Sequence, residues 1–255
     1  MNIEKFLPSP ALMPLIKEFM IIESDVETGS KTIPDTSMTM SFRYCGSVLK
    51  GESAETISAA TVSGLRKSVR LFHYTKATSN LLVIFKEGGF TAFSKIPAHE
   101  LFNISIGTEN LFHSTELAEI LQRLAEAKNN FERIFIIESF FLKKLATTKR
   151  DLSVNHAINL IKQQNGIIRI KDLAKHLHIS QDPFEKKFRQ QVGSSPKQYA
   201  SIIRLRNLIK NYSSYSSLTD ASYEAGYFDQ SHFIKDFRLF TGQAPKDFFK
   251  SSQYW

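Results

Sequence analysis

A single cysteine, Cys45, stands among 255 residues. It excludes an intramolecular disulfide and every zinc site built on paired cysteines, and it suits a reducing compartment. Long apolar runs are missing as well. The purest, residues 81–85, is strand-sized and stops at Lys86, far short of the ~20 residues a membrane-spanning helix needs. The opening stretch, MNIEKFLPSP, has no apolar core of the secretory kind. These absences predict a soluble cytoplasmic protein.

Catalytic signatures are also absent. There is no G-x-S-x-G, no Walker loop, no H-E-x-x-H and no C-x-x-C, and no carboxylate spacing suggests an acid–base pair. His73, His99 and His113 are scattered. His176 and His178 lie two apart near a helix end and share no face, so they do not read as metal ligands. Cys45 is expected to be a buried, inert thiol. Gly88 and Gly89 read as a turn rather than an anion cradle.

Acidic residues run short toward the C-terminus. The chain carries a formal charge of +8, with 18 Lys+Arg against 16 Asp+Glu in residues 1–150 and 15 against 9 in residues 151–255. The surplus in the shorter part favours a polyanionic partner there. A hydrophobic fraction of 42% suffices for packed cores.

Up to about residue 97 the pattern lacks helical periodicity. Apolar and β-branched runs at 38–44, 57–62, 69–74 and 81–85 alternate with breakers such as Gly29, Pro34, Gly46 and Gly64. This predicts an antiparallel sandwich or small barrel. Residues 115–127 then place Leu117, Ile120, Leu121 and Leu124 on one helical face behind a Ser114 cap, and residues 131–145, with Ile134, Phe135, Glu138, Phe141, Leu142 and Leu145 at mixed three- and four-residue spacing, read as a second helix. A polar stretch at 147–153 sets a domain boundary at about residue 150. Helices are expected at 154–162, 170–177, 181–192, 196–212, 218–225, 229–241 and 245–250. The fold class is therefore α+β in two domains. Residues 1–150 form a β-rich sensing or dimerisation domain ending in helices, and residues 151–255 an all-α domain.

The most informative feature is an internal duplication. Residues 184–199 shifted by 49 fall on residues 233–248 with seven identities in sixteen positions. The shared pattern is F-x-K-x-F-R-x-x-x-G-x-x-P-K-x-[YF]. Phe184 and Phe188, like Phe233 and Phe237, stack four apart on one helical face and anchor it to a core. Gly193 and Gly242 fall where a left-handed cap needs no Cβ, and Pro196 and Pro245 suit the first turn of the next helix. Each copy is preceded by a short helix and a tight turn, at His178 and at Gly226. A small residue four before the turn, Ala174 or Ser222, lets the helices cross closely. Helix, turn, helix with a basic outer face is a DNA-reading module. The outward residues are Asp182, Lys186, Arg189 and Gln190 in the first unit and Ser231, Lys235 and Arg238 in the second. The helix at 196–212, with Arg204, Arg206 and Lys210, would set the two reading helices about one DNA turn apart, roughly 34 Å.

From Asp220 to Phe248 the chain resembles the signature of the AraC/XylS family of transcriptional regulators, most specifically in Asp229-Gln-Ser-His-Phe233. The resemblance spans about residues 152–250. It implies two helix-turn-helix subdomains, at about 169–193 and 218–242, joined by a linker helix and reading two successive major-groove segments. By motif position it assigns base reading to Asp182, Glu185 and Lys186 in the first unit and to Gln230, Ser231 and Lys235 in the second. Three positions depart from the family pattern: His178 for Gly, Ser222 for Ala, and Pro183 within the first turn of a reading helix. Double-stranded DNA is the implied partner. RNA polymerase, a small-molecule effector and a second copy of the chain are further partners, with no cofactor and no membrane. Residues 1–150 more weakly resemble an uncharacterised domain found ahead of this module, through Pro8-Ser-Pro-Ala-Leu12, residues 85–90 and Ile96-Pro97. The alternative is an enzymatic N-terminal domain, such as alkyl transfer onto Cys45, with the DNA domain as a targeting device.

Overall fold

The computed structural model describes residues 1–51, 54–146 and 151–250. The N-terminal part holds β1 (Asn2–Phe6), β2 (Ile16–Ser24), β3 (Thr28–Thr32), β4 (Thr39–Cys45), β5 (Val48–Lys50), β6 (Glu55–Thr56), β7 (Ala60–Ser63), β8 (Arg70–Tyr74), β9 (Thr78–Phe85) and β10 (Ser105–Gly107). Helices α1 (Ser114–Glu126) and α2 (Asn130–Lys144) follow. The C-terminal part is helical: α3 (Leu152–Gln163), α4 (Ile170–His176), α5 (Gln181–Val192), α6 (Pro196–Lys210), α7 (Leu218–Glu224), α8 (Gln230–Thr241) and α9 (Pro245–Phe248). Among the described residues no helix is long and apolar enough to cross a membrane. The boundary expected at about residue 150 falls on residues 147–150, outside the described residues.

The strands form two open antiparallel sheets, one ordered β1-β2-β9-β4-β7-β10 and the other β3-β8-β5-β6. Period-two alternation gives the larger sheet two apolar faces. Phe19 and Ile21 of β2, Phe42 of β4 and Phe85 of β9 turn toward α1 and α2 and are buried. Phe42 meets Phe140 and Phe141 edge-on at 6.3 Å, and Phe85 meets Phe141 at 5.8 Å. Met20, Leu82 and Ile84 turn the other way, toward the smaller sheet, where Ile22, Val48 and Tyr74 form a minor core. Because β2 is apolar on both faces, it shows no alternation in the sequence.

Three local expectations change. Ser114 is the first residue of α1 and His113 the residue before it, so Ser114 does not cap. In α2 the buried stripe is Ile134, Ile136, Ile137, Phe140 and Phe141, while Phe135 and Leu142 are exposed. Cys45, at the end of β4, is exposed rather than buried.

The two halves share one continuous hydrophobic cluster. Its polar centre is Glu87, just after β9. Glu87 Oε1 pairs with Lys162 of α3 at 2.8 Å and accepts hydrogen bonds from Tyr199 Oη of α6 at 3.0 Å and Thr36 Oγ1 at 3.0 Å. Beside it, Arg206 of α6 donates to Pro34 O at 3.1 Å and lies 3.6 Å from Asp35. Gln191 of α5 accepts from Asp151 N at 2.8 Å and donates to Asn155 at 2.9 Å, tying α5 to the start of α3. The α5 C-cap at Gly193 abuts the short 3-10 turn Ala98–Leu101: a Cβ at Gly193 would stand 3.1 Å from Ala98 O.

Burial raises the Glu87 carboxyl, but the hydrogen bond and charge of Lys162, with the bond from Thr36, outweigh it and leave the group below its usual value of 4.5. A carboxylate depressed in the folded state stabilises the protein above its unfolded pKa and loses that contribution as pH falls through the folded one. Glu87→Gln is therefore expected to cost about 2 kcal/mol at neutral pH. Its stability should also fall less steeply than that of the wild type below pH 4.5. Denaturant melts of both proteins across pH 3–7 measure this; parallel pH curves for the two proteins would remove Glu87 from the role.

Candidate nucleic-acid interface

The duplicated sequence folds into duplicated structure. In the first unit α4 ends at His176 with Leu177 as its C-cap, and His178 takes a left-handed φ of 54°. His178 N donates to Lys175 O at 3.0 Å and Ile179 N to Ala174 O at 3.1 Å. In the second unit Gly226 has φ 72°, with Gly226 N to Tyr223 O at 2.8 Å and Tyr227 N to Ser222 O at 3.0 Å. Both are the same reversal, in which two amides satisfy carbonyls of the ending helix. Ala174 and Ser222 are buried at the crossings, as the small-residue reading predicts, and the Ser222 hydroxyl turns back to Thr219 O at 2.8 Å.

The reading helices repeat the match. Phe184, Phe188, Phe233 and Phe237 are fully buried. Their pairs sit 5.8 Å apart in α5 and 5.6 Å apart in α8. Phe188 meets Tyr199 edge-on at 5.5 Å, and the equivalent Phe237 meets Phe248 at 5.2 Å. Both helices end on left-handed glycines, Gly193 at φ 94° and Gly242 at φ 79°, and Pro196 and Pro245 open the helices that follow.

With these faces buried, the opposite faces are open. Asp182, Lys186, Arg189 and Gln190 of α5 are exposed, as are Gln230, Ser231, Lys235 and Arg238 of α8. Glu185 is half-buried. It accepts from Gln181 at 3.0 Å and pairs with Arg189 at 3.5 Å, so two of the expected contacts in the first unit engage each other. Lys187, outside the expected set, pairs with Asp151 at 2.9 Å. Lys186, Lys235 and Arg238 form no ion pair among the described residues. Pro183 lies in the first turn of α5 without interrupting it.

Two of the three cations named on the linker helix are engaged within the protein. Arg206 is committed to Pro34 and Asp35. Arg204 lies 4.2 Å over the Tyr227 ring and 3.9 Å from Asp236. Tyr227 Oη in turn donates to Asp236 at 3.2 Å, and His232 stands 3.8 Å from the same carboxylate. Burial first, then Asp236, push the Tyr227 hydroxyl above its usual range despite Arg204. These two arginines fasten α6 to its neighbours, and only the fold shows it.

A further asymmetry went unnoticed in the sequence although its spacing was legible there. His178 precedes Phe184 by six positions, but Gly226 precedes Phe233 by seven. The second turn is longer by one residue, and it carries Phe228, which is 94% exposed. Asp229 then caps α8 by accepting from His232 N at 2.8 Å, whereas Ser180 makes no side-chain cap on α5.

Residues 173–251 match a family described as a helix-turn-helix domain, and residues 4–106 match a domain of unknown function (DUF6597). The chain is 30% identical over 124 residues to the Msm operon regulatory protein of Streptococcus mutans, a stretch covering 46% of this chain and 44% of that protein. The chain thus spans less than half the length of this curated relative. Among solved structures it is similar to ToxT from Vibrio cholerae at 11% identity, covering 99% of this chain and 100% of that one with a TM-score of 0.46. It is also similar to the C-terminal domain of AraT from Geobacillus stearothermophilus at 17% identity, covering 42% and 92% with a TM-score of 0.39. The class is a two-domain chain ending in tandem helix-turn-helix units. More particularly, residues 173–251 carry the helix-turn-helix match, and they follow a stretch, residues 4–106, that matches DUF6597.

The His178 backbone gives a direct test of the turn. A non-glycine residue at φ 54° is strained. His178→Gly is expected to raise stability by about 0.5–1 kcal/mol, net of the extra chain entropy of glycine. Gly226→Ala should lower stability by a similar amount. Urea melts read both, and a destabilised His178→Gly variant would show that the imidazole itself holds the turn.

Proposed function

We propose that the chain is a sequence-specific DNA-binding transcription regulator of AraC/XylS type that reads two successive major-groove segments. The observation that carries this reading is the repeated unit. Two helices with matching buried phenylalanines and matching C-terminal glycines each present an exposed face, with Lys186 on one and its counterpart Lys235, with Arg238, on the other. In this reading Asp182, Glu185, Lys186, Arg189 and Gln190 contact DNA from the first unit, and Gln230, Ser231, Lys235 and Arg238 from the second. The unpaired cations of α8 make the second unit the stronger phosphate and base contact, and the Glu185–Arg189 pair must open for the first to engage fully.

The N-terminal domain is the sensing or self-association module, and the protein is cytoplasmic and non-enzymatic. RNA polymerase and a second copy of the chain are its protein partners. Arg206, on the helix between the reading units, also lines a cavity in the N-terminal domain and gives ligand occupancy a route to them.

Selection of bound duplexes from a random pool is expected to return a site with two recognition segments about one helical turn apart. Lys235→Ala should weaken binding to that site by about 1–3 kcal/mol and relax preference in one segment. Binding should weaken steeply with salt as counterions are released. Unchanged preference in Lys235→Ala removes that residue from base reading, and a chain that selects no sequence at low salt overturns the proposed function.

A further inference from the structure

Between the two sheets lies a cavity of about 740 Å³, within the range of small-molecule sites. Its floor is divided by strand. Met20 and Ile22 of β2 and Leu82 and Ile84 of β9 give one apolar half. Thr39 and Ser41 of β4, Thr61 and Ser63 of β7 and Ser105 of β10 give the other half a row of hydroxyls. A sandwich interior is ordinarily filled by interdigitating apolar side chains, so packing alone does not account for this row. Ser41 and Thr61 bond each other at 2.7 Å, as do Ser63 and Ser105. The buried Arg70 already donates to Ser105 Oγ at 2.6 Å and to Ser63 Oγ at 3.4 Å, whereas the Ser41–Thr61 pair keeps further bonding capacity.

The lining also holds half-buried positive charge, and Arg43 in it lacks a counter-ion. Arg43 donates from Nη2 to Ile57 O at 3.0 Å, but Nη1 is buried without a partner, and Arg43 joins no ion pair among the described residues. Its direct cross-strand neighbour, Asn80, is buried and leaves Oδ1 without a partner. Arg66 donates to Thr32 O and Ile33 O at 3.1 and 3.0 Å and has an unpartnered buried Nε. Burial lowers both guanidinium groups, Arg66 to about 10. The carboxylates in the lining leave Arg43 uncompensated: Glu18 lies 3.4 Å from Lys5, Asp35 lies 3.6 Å from Arg206 and also offsets Arg66, and Glu55 is exposed. A guanidinium with a buried, unpartnered nitrogen and no counter-ion costs stability, and such costs are retained where binding repays them.

We propose that this cavity binds a hydroxylated organic anion of the size of a sugar acid or sugar phosphate. Its charged group sits on Arg43 beside Asn80, its hydroxyls on the Ser and Thr row, and its C–H surface against the apolar half. The inference rests on the sensing role given to the N-terminal domain and names the chemistry sensed.

The test is thermal melting of the full chain with gluconate, glucuronate or glucose 6-phosphate, against glucose and octanoate. Glucose lacks the charge and octanoate lacks the hydroxyls. A hydroxylated anion at a hundredfold excess over its Kd is expected to raise Tm by about 5–10 °C, while glucose and octanoate shift it far less. Comparison of the carboxylates with the phosphate identifies the head group. Arg43→Met should still melt cooperatively and lose the response. If that variant does not fold, Ser41→Val with Thr61→Val supplies the same test through the hydroxyl row. An octanoate or glucose shift equal to that of the hydroxylated anions, no shift from any of the three, or a wild-type response in the variants would overturn the proposal. Repeating the DNA titration with the active compound separates the two readings: bound ligand with unaltered DNA affinity refutes sensing and leaves the site standing.

Discussion

Glu87 sits where the β-rich half meets the helices, and one oxygen of its carboxylate gathers an ammonium from α3, a phenol from α6 and a hydroxyl from the loop before β4. None of those three elements is near it in sequence. The apolar surface around it would tolerate sliding, because hydrophobic contact has no direction. Charge-assisted hydrogen bonds do have direction, and Glu87 fixes where α3 and α6 stand on the sheet. The first reading unit is built on those two helices, so its position relative to the N-terminal domain follows from a group outside the DNA-binding module.

The two copies of the duplicated segment have diverged in what they hold on to. Tyr199 and Phe248 occupy equivalent places and pack on equivalent phenylalanines, but only Tyr199 has a hydroxyl to reach Glu87. The second unit relies instead on Arg204, Tyr227 and Asp236, which bind it to α6. One unit is thus fastened mainly to the N-terminal domain and the other mainly to the linker helix. The extra turn residue at Phe228 adds to the difference. The duplicated cores preserve a way of folding, while the polar residues around them assign each copy its own attachments.

Most of the C-terminal part was legible in the sequence, because its signals are local. Phenylalanines four apart, a glycine past the helix and a proline opening the next fix helix limits almost to the residue, as α5 shows. The N-terminal part was legible only where strands alternate or end in turns. β2 was missed because the helices cover one of its faces and the minor core the other, which erases the period. β1 and β3 are edge strands with little apolar content, and their pairing is long-range. The expected α2 stripe shares Ile134 and Phe141 with the buried one but departs from it at Phe135 and Leu142, which are large and apolar yet exposed. Among the candidate site residues, exposure on α5 and α8 followed from the buried phenylalanines opposite. The pairing of Glu185 with Arg189, the diversion of Arg204 and Arg206, and the cavity arginines depend on contacts between distant segments, which no spacing rule reports.

The glycines that close α5 and α8 have one more consequence. A Cβ at Gly193 would meet Ala98 O at 3.1 Å, and one at Gly242 would meet Val69 Cγ1 at 3.0 Å. Both reading helices therefore rest their tails on the β-rich half. Each has 12 residues, or a length of about 18 Å, and its first residue, Gln181 or Gln230, is exposed. A tilt of about 5° at the tail swings the tip by roughly 1.6 Å over that length, enough to break a hydrogen bond to a base edge. A modest rearrangement between the sheets would thus be magnified into a change of grip at two places on the duplex at once.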